Sequence, residues 1–159
     1  MRLHSWFPAL PWSTFLALLA LCPACQTANQ SLFTVSGSGW HVQQGQALWR
    51  PGHNYPELGG DLVLASNEDG RCLIQFDKTP LSLVQAQTTR NSWLIQFPQR
   101  NLAFSGHGEP STRFIWLYLQ AARSGNKLPA TLSFERKGDG GWRMQNSRTG
   151  ETLEGFLAP

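Results

Sequence analysis

From residue 32 onward, apolar and polar positions alternate. Cys72, Ile74 and Phe76 take every second position, with Arg71, Gln75 and Asp77 set around Leu73 on the other face. Trp93, Ile95 and Phe97 do the same against Leu94 and Gln96, as do Leu132 and Phe134 against Ser133 and Glu135. A period of two marks a half-buried strand, because successive side chains leave opposite faces of a sheet. Further strands are expected from Trp40 to Val42, Ala47 to Trp49, Asp61 to Leu64, Leu81 to Gln87, Leu102 to Phe104, Trp142 to Met144 and Leu153 to Leu157. Turn chemistry separates them, at Gly37-Ser38-Gly39, Pro51-Gly52-His53-Asn54, Asn67-Glu68-Asp69-Gly70, Thr89-Arg90-Asn91, Gly138-Asp139-Gly140-Gly141 and Asn146-Ser147-Arg148-Thr149-Gly150. Nearly all connections are of hairpin length, which leaves no room for parallel crossovers. The pattern predicts a mainly β fold with one or two helices, built as a curved antiparallel sheet that forms an incomplete (half) β-barrel.

One stretch breaks the alternation. After Pro110-Ser111, residues Thr112 to Ala122 place Phe114, Leu117, Tyr118 and Ala121 at helical spacing, and Ser124-Gly125-Asn126 ends the run. Ile115, Trp116, Leu119 and Ala122 put apolar groups on the remaining faces, so a helix here must be buried on several sides. In a chain with a single sheet, the concave side is the place that covers it. A buried strand over Arg113 to Gln120 is the competing reading.

The first residues follow a different logic. Arg2 gives a short positive start, Phe15 to Leu21 form an unbroken apolar run, and small residues follow in Cys22-Pro23-Ala24-Cys25. The run is well short of the about 20 residues that span a hydrocarbon core. It reads as the core of an export signal cleaved between Ala24 and Cys25. Residues 1–24 are then a signal peptide, 25–31 a tether and 32–159 one antiparallel half-barrel domain. A cysteine at the first mature position resembles a bacterial lipobox, which implies lipidation at Cys25. Leucine, usual three positions before such a cysteine, is displaced here to Leu21, with Cys22 in its place; Cys22 as the anchor restores Leu19 and Ala20 but puts bulky Leu21 beside the cut, so Cys25 is preferred. Ordinary cleavage to a soluble periplasmic or secreted protein is the alternative. Only Cys72 would remain as a second thiol, in an alternating apolar segment where cysteine packs as a small hydrophobe.

Composition narrows the function. The net charge is +3, and basic residues are scattered singly from Arg50 to Arg148 among acidic ones, without the clustered footprint that nucleic acid requires. His41, His53 and His107 lack metal-ligand spacing, Ser36 and Ser38 lack a nucleophile-elbow frame, and Gly138 to Gly141 joins strands without opening a helix. No cofactor, metal or catalytic set is expected. A hydrolase would need one of those histidines within reach of a serine or carboxylate. Few charges and many aromatic residues instead leave a surplus of apolar surface.

The anchored cysteine, the strand meander, the apolar helix late in the chain and the segment Leu128-Pro129-Ala130-Thr131-Leu132-Ser133-Phe134-Glu135-Arg136 together resemble the LolA/LolB superfamily of outer-membrane lipoprotein carriers and receptors. The resemblance implies an unclosed barrel capped by helices, facing the periplasm from the outer membrane, whose hollow accepts the acyl chains of a lipoprotein cargo. Candidate wall residues are Ile74, Phe76, Trp93, Ile95, Phe97, Trp116, Leu132 and Phe134. No loop here offers the protruding leucine with which LolB-type receptors pass cargo to the membrane. The same residues would equally fill the sealed core of a structural or interaction lipoprotein without a ligand.

Overall fold

The structure is a computed structural model that describes residues 31–138 and 140–158. The expected signal peptide, Cys25 and the expected tether up to Gln30 lie outside the described residues, as does Asp139. Nine strands run in chain order: Trp40–Arg50 (β1), Leu58–Asn67 (β2), Cys72–Lys78 (β3), Leu81–Thr88 (β4), Ser92–Phe97 (β5), Leu102–His107 (β6), Leu132–Arg136 (β7), Gly141–Asn146 (β8) and Thr152–Ala158 (β9). They form a single antiparallel sheet in the order β6-β5-β4-β3-β2-β1-β9-β8-β7. Every neighbour but one is a sequential hairpin. The exception is the seam between β1 and β9, which brings the last strand beside the first. The sheet is curved and does not close, leaving β6 and β7 as its two edges.

Cross-strand register explains which residues share a face. Leu64 pairs with Ile74, Ile74 with Ala86, Ala86 with Ile95 and Ile95 with Phe104, so one rung of apolar side chains crosses five strands on the inner face. Leu62, Phe76 and Val84 form the next rung. At the seam the inner positions shrink to Gly60, Ala47 and Gly155. A Cβ on Gly155 would collide with the Gln46 carbonyl, and one on Gly45 with that of Phe156, so these glycines permit the close approach of the two strands.

The stretch Trp40 to Arg50 is one strand where the sequence pattern indicates two. Its middle, Gln43 to Gln46, carries no apolar residue, yet it pairs throughout with β2. Polar side chains at Gln44 and Gln46 face solvent there, so the sheet continues without an apolar signal.

The connection from β6 to β7, residues 108–131, folds back over the concave side as a strap. It carries a 3-10 turn at Ile115–Tyr118 that runs into a short α-helix, Leu119–Arg123 (α1). A helix was expected over Thr112 to Ala122, and the regular part is shorter and wound more tightly at its start. Phe114 is extended, and no side chain caps either helical piece at its N-terminus. With apolar groups on all sides, winding is decided by packing against the sheet and not by an amphipathic period. The C-terminal end is better specified. Asn126 N–H donates to the Ala121 carbonyl and Gly125 N–H to that of Ala122, with Gly125 in the left-handed region, which makes a Schellman stop.

The outer face is mostly wet, with one covered patch. Leu73, Leu94 and Ala65 are buried there together with Gln87. What lies against them is the start of the described chain. Leu32 N–H donates to Gln87 Oε1 at 2.7 Å, and Gln87 Nε2 donates to the Phe33 carbonyl at 3.1 Å. Phe33 then stacks on Trp40 with the Arg71 guanidinium over both rings. Gln87 is 2% exposed, so its amide acts as a clasp with no competition from water. Replacing Gln87 with Ala removes both bonds, at an expected cost of about 1–3 kcal/mol. Faster amide exchange at Leu32, with the β4 amides unchanged, would register release of this segment. Unchanged exchange at Leu32 would show that the clasp is idle.

Candidate functional site

The concave wall is assembled from the inner positions of the sheet. Ile74, Phe76, Ile95, Trp116 and Leu132 are buried in one apolar cluster, and Trp93, Phe97 and Phe134 pack against it half-buried. All the sequence-predicted wall residues therefore meet on one side of the sheet. The strap fills the space above them. Trp116 is fully buried, with its ring 5.1 Å from Phe76 and 5.6 Å from Trp49. Phe114 reaches Phe104 at 5.0 Å, and Phe97 stacks on Trp49 at 6.2 Å. Residues that the sequence reading left out of the wall, Trp49, Phe114, Trp142, Met144 and Leu153, contribute as much to it as those it included. For Trp49, Trp142, Met144 and Leu153 the signal was present as alternation along β1, β8 and β9, whereas Phe114 lies on the strap.

Polar ties fasten the strap to the β8–β9 hairpin. Glu151 is 6% exposed, and its carboxylate accepts from Trp49 Nε1 at 2.8 Å and from the Ile115 N–H at 3.4 Å. Burial pushes this carboxyl up to about 7, against the pull of those two donors, which favour the charged form. Asn146, equally buried, donates from Nδ2 to the Thr112 carbonyl at 2.7 Å and accepts from the Arg148 N–H. Tyr118 donates its hydroxyl to the Pro110 carbonyl. Nothing in the sequence marks Glu151 as a buried group, since it follows a turn where a carboxylate ordinarily meets water.

Openings lie on both sides of the sheet. One, of about 300 Å³, lies between the end of α1 and the β7–β8 edge, lined by Arg123, Phe134, Arg136, Lys137 and Trp142 with Gly140 and Gly141. It is the opening that reaches the predicted wall, through Phe134. Phe134 and Trp142 lie face to face at 6.3 Å. The other, of about 720 Å³, is a groove on the outer face of the β2-β1-β9-β8 region, flanked by the half-exposed Leu48 and Phe156. None of the predicted wall residues lines it.

The dispersed histidines build no comparable site. Ser92 Oγ and His107 Nδ1 are 3.1 Å apart, but as directly paired residues on the exposed β5–β6 edge, outside both openings. His53 packs on Gly150, and His41 is exposed. Among the described residues there is no cluster of three His, Cys, Asp or Glu side chains that could hold a metal ion. No described helix is long and apolar enough to cross a membrane. Cys72 faces the concave wall, where burial pushes its thiol up to about 12 and leaves it unreactive.

Compared with protein-family models, with curated proteins and with solved structures, the chain matches none.

Proposed function

We propose that this chain is a bacterial cell-envelope lipoprotein that takes the acyl chain of a lipid or lipidated partner into its half-barrel. In this reading it serves lipid or lipoprotein transport at the periplasmic face of the outer membrane, as the LolA/LolB resemblance implies. The observation that carries it is the cover of the apolar wall: a single connection, residues 108–131, lies there in place of a second sheet. A strap joined to the sheet at its two ends can lift without unpairing any strand.

Magnitudes make such an exchange workable. Re-exposing Phe114, Ile115, Trp116, Leu117 and Leu119 costs on the order of 10–15 kcal/mol, at about 2–3 kcal/mol each. An acyl chain of about 16 carbons regains on the order of 12 kcal/mol, at about 0.8 kcal/mol per methylene. Neither side wins by much, which suits a carrier that must load and release. The ligand-free protein is then closed, and the acyl chain takes the place of strap side chains against Ile74, Phe76, Trp93, Ile95 and Phe97.

A second reading is favoured by the same packing. Ile115, Trp116 and Leu119 are fully buried, the condition of a sealed core in a structural or interaction lipoprotein with no ligand. Titration of the processed protein with a fluorescent fatty acid separates the two. The carrier reading expects saturable binding with quenching of Trp93 and Trp116 emission, and its absence would favour the sealed core.

Membrane attachment is tested independently. Cys25→Ala is expected to move the protein from the membrane pellet to the soluble fraction. Tight pelleting of that variant would remove Cys25 as the anchor.

A further inference from the structure

The smaller opening has a chemistry that the wall lacks. Arg123, the last residue of α1, and Arg136, the last of β7, stand on either side of it. Their hydrogen-bond partners are neutral. Arg123 Nη2 donates to Gln43 Oε1 at 3.0 Å, and Arg136 Nη2 donates to the Arg123 backbone carbonyl at 2.8 Å. Among the described residues neither guanidinium has a carboxylate partner, although four other ion pairs are formed. Lys137 on the same rim is already paired with Glu154 at 2.6 Å. Burial and the neighbouring Arg136 both lower the pKa of Arg123, as expected where like charges are held together without a counter-ion. Beneath them lie the stacked rings of Phe134 and Trp142. Trp142 is 1% exposed, and its indole N–H has no partner among the described residues.

We propose that this opening binds the anionic headgroup, a carboxylate or phosphate monoester, of the amphiphile whose acyl chain occupies the half-barrel. The inference rests on the acyl-binding reading and adds the class of headgroup to it. Two guanidiniums present paired N–H donors that match the oxygens of a carboxylate or phosphate, and a bond between opposite charges is stronger than the guanidinium-to-carbonyl bonds it would replace. The volume, about 300 Å³, accommodates a headgroup and the first carbons of its chain and not a whole lipid. From there the chain continues past Phe134 under the strap.

Binding also acts on the strap itself. The bond from Arg136 to the Arg123 carbonyl and the bond from Arg123 to Gln43 are the ties that fix the end of α1 to β7 and β1. An anion that draws both guanidiniums to itself loosens these ties at the moment it arrives, so headgroup capture and entry of the chain are coupled.

The test compares probes of one chain length on the full processed protein: oleate, the monoacyl phosphate of the same chain, neutral monoolein, and inorganic phosphate alone. The anionic amphiphiles are expected to bind about tenfold or more tighter than monoolein, a difference of about 1.4 kcal/mol. Arg123→Gln with Arg136→Gln should bring them down to the monoolein level, while monoolein binds at least as tightly as to the parent because the strap has lost its two ties. Arg136 is exposed, so Arg136→Gln alone keeps the fold and should remove part of the preference. Equal binding of charged and neutral amphiphiles, or equal weakening of both in the variants, would overturn the headgroup site and leave acyl binding intact. Inorganic phosphate binding as tightly as the amphiphiles would overturn it in favour of a free-anion site. No binding of any amphiphile would sink the half-barrel reading together with it.

Discussion

Replacing Trp116 with alanine is expected to destabilise the protein by about 3–5 kcal/mol, read from urea midpoints with an unchanged slope. The indole is fully buried where strap meets sheet and touches the Trp49 and Phe76 rings, so its removal opens a cavity at the centre of the cluster. Its N–H has no hydrogen-bond partner, which makes the contribution almost wholly one of packing. Relaxation of the strap into the hole would reduce the loss, since the 3-10 turn has no side-chain cap of its own and its first N–H is held by one long bond, to Glu151. A loss below about 1 kcal/mol would mean that the strap does not rest on the wall in solution. The same variant should bind a fluorescent fatty acid more tightly, because the energy needed to lift the strap falls with the side chain. Weaker binding with intact folding would place Trp116 among the groups that contact the ligand.

The second large effect is in pH. The Glu151 carboxyl titrates at about 7 in the folded chain against about 4.5 when exposed, and burial is the leading cause. The folded state therefore holds a proton that the unfolded state has released between these values. Stability from this group is fully present below about 4.5 and is lost as pH rises through about 7, by roughly 3 kcal/mol in all. Glu151→Gln should flatten stability across that window. Its amide oxygen still accepts from Trp49, it carries no buried charge, and it gives up only the long bond from Ile115, about 1 kcal/mol or less. The variant is then the more stable protein well above pH 7. Denaturation curves across the window decide it, and a slope in the variant as steep as in the parent would assign the titration to another group.

These two residues also show where the sequence is informative. The inner rungs were legible because one face is dry: a strand with a buried face must alternate, and Cys72, Ile74 and Phe76 or Trp93, Ile95 and Phe97 do so. The middle of β1 was not, because Gln43 and Gly45 hold its inner positions where the strap ends and the seam narrows. Leu73 and Leu94 are paired on either side of Gln87 on the outer face, and the partners of the Gln87 amide are residues 31–33, far away in sequence. The strap was visible as an apolar segment that has to be covered, but a helix greasy all round carries no period from which its winding can be read. Glu151, Arg123 and Arg136 acquire their roles only through tertiary neighbours. Each alone looks like a solvated charge at the end of an element.

If the half-barrel holds an acyl chain, as proposed, native mass spectrometry of the full protein purified from the membrane fraction shows it. The expected spectrum holds a second population heavier by the mass of one acyl-bearing lipid, displaced stoichiometrically by added oleate. Bare protein alone, with no adduct after incubation with oleate, would contradict it.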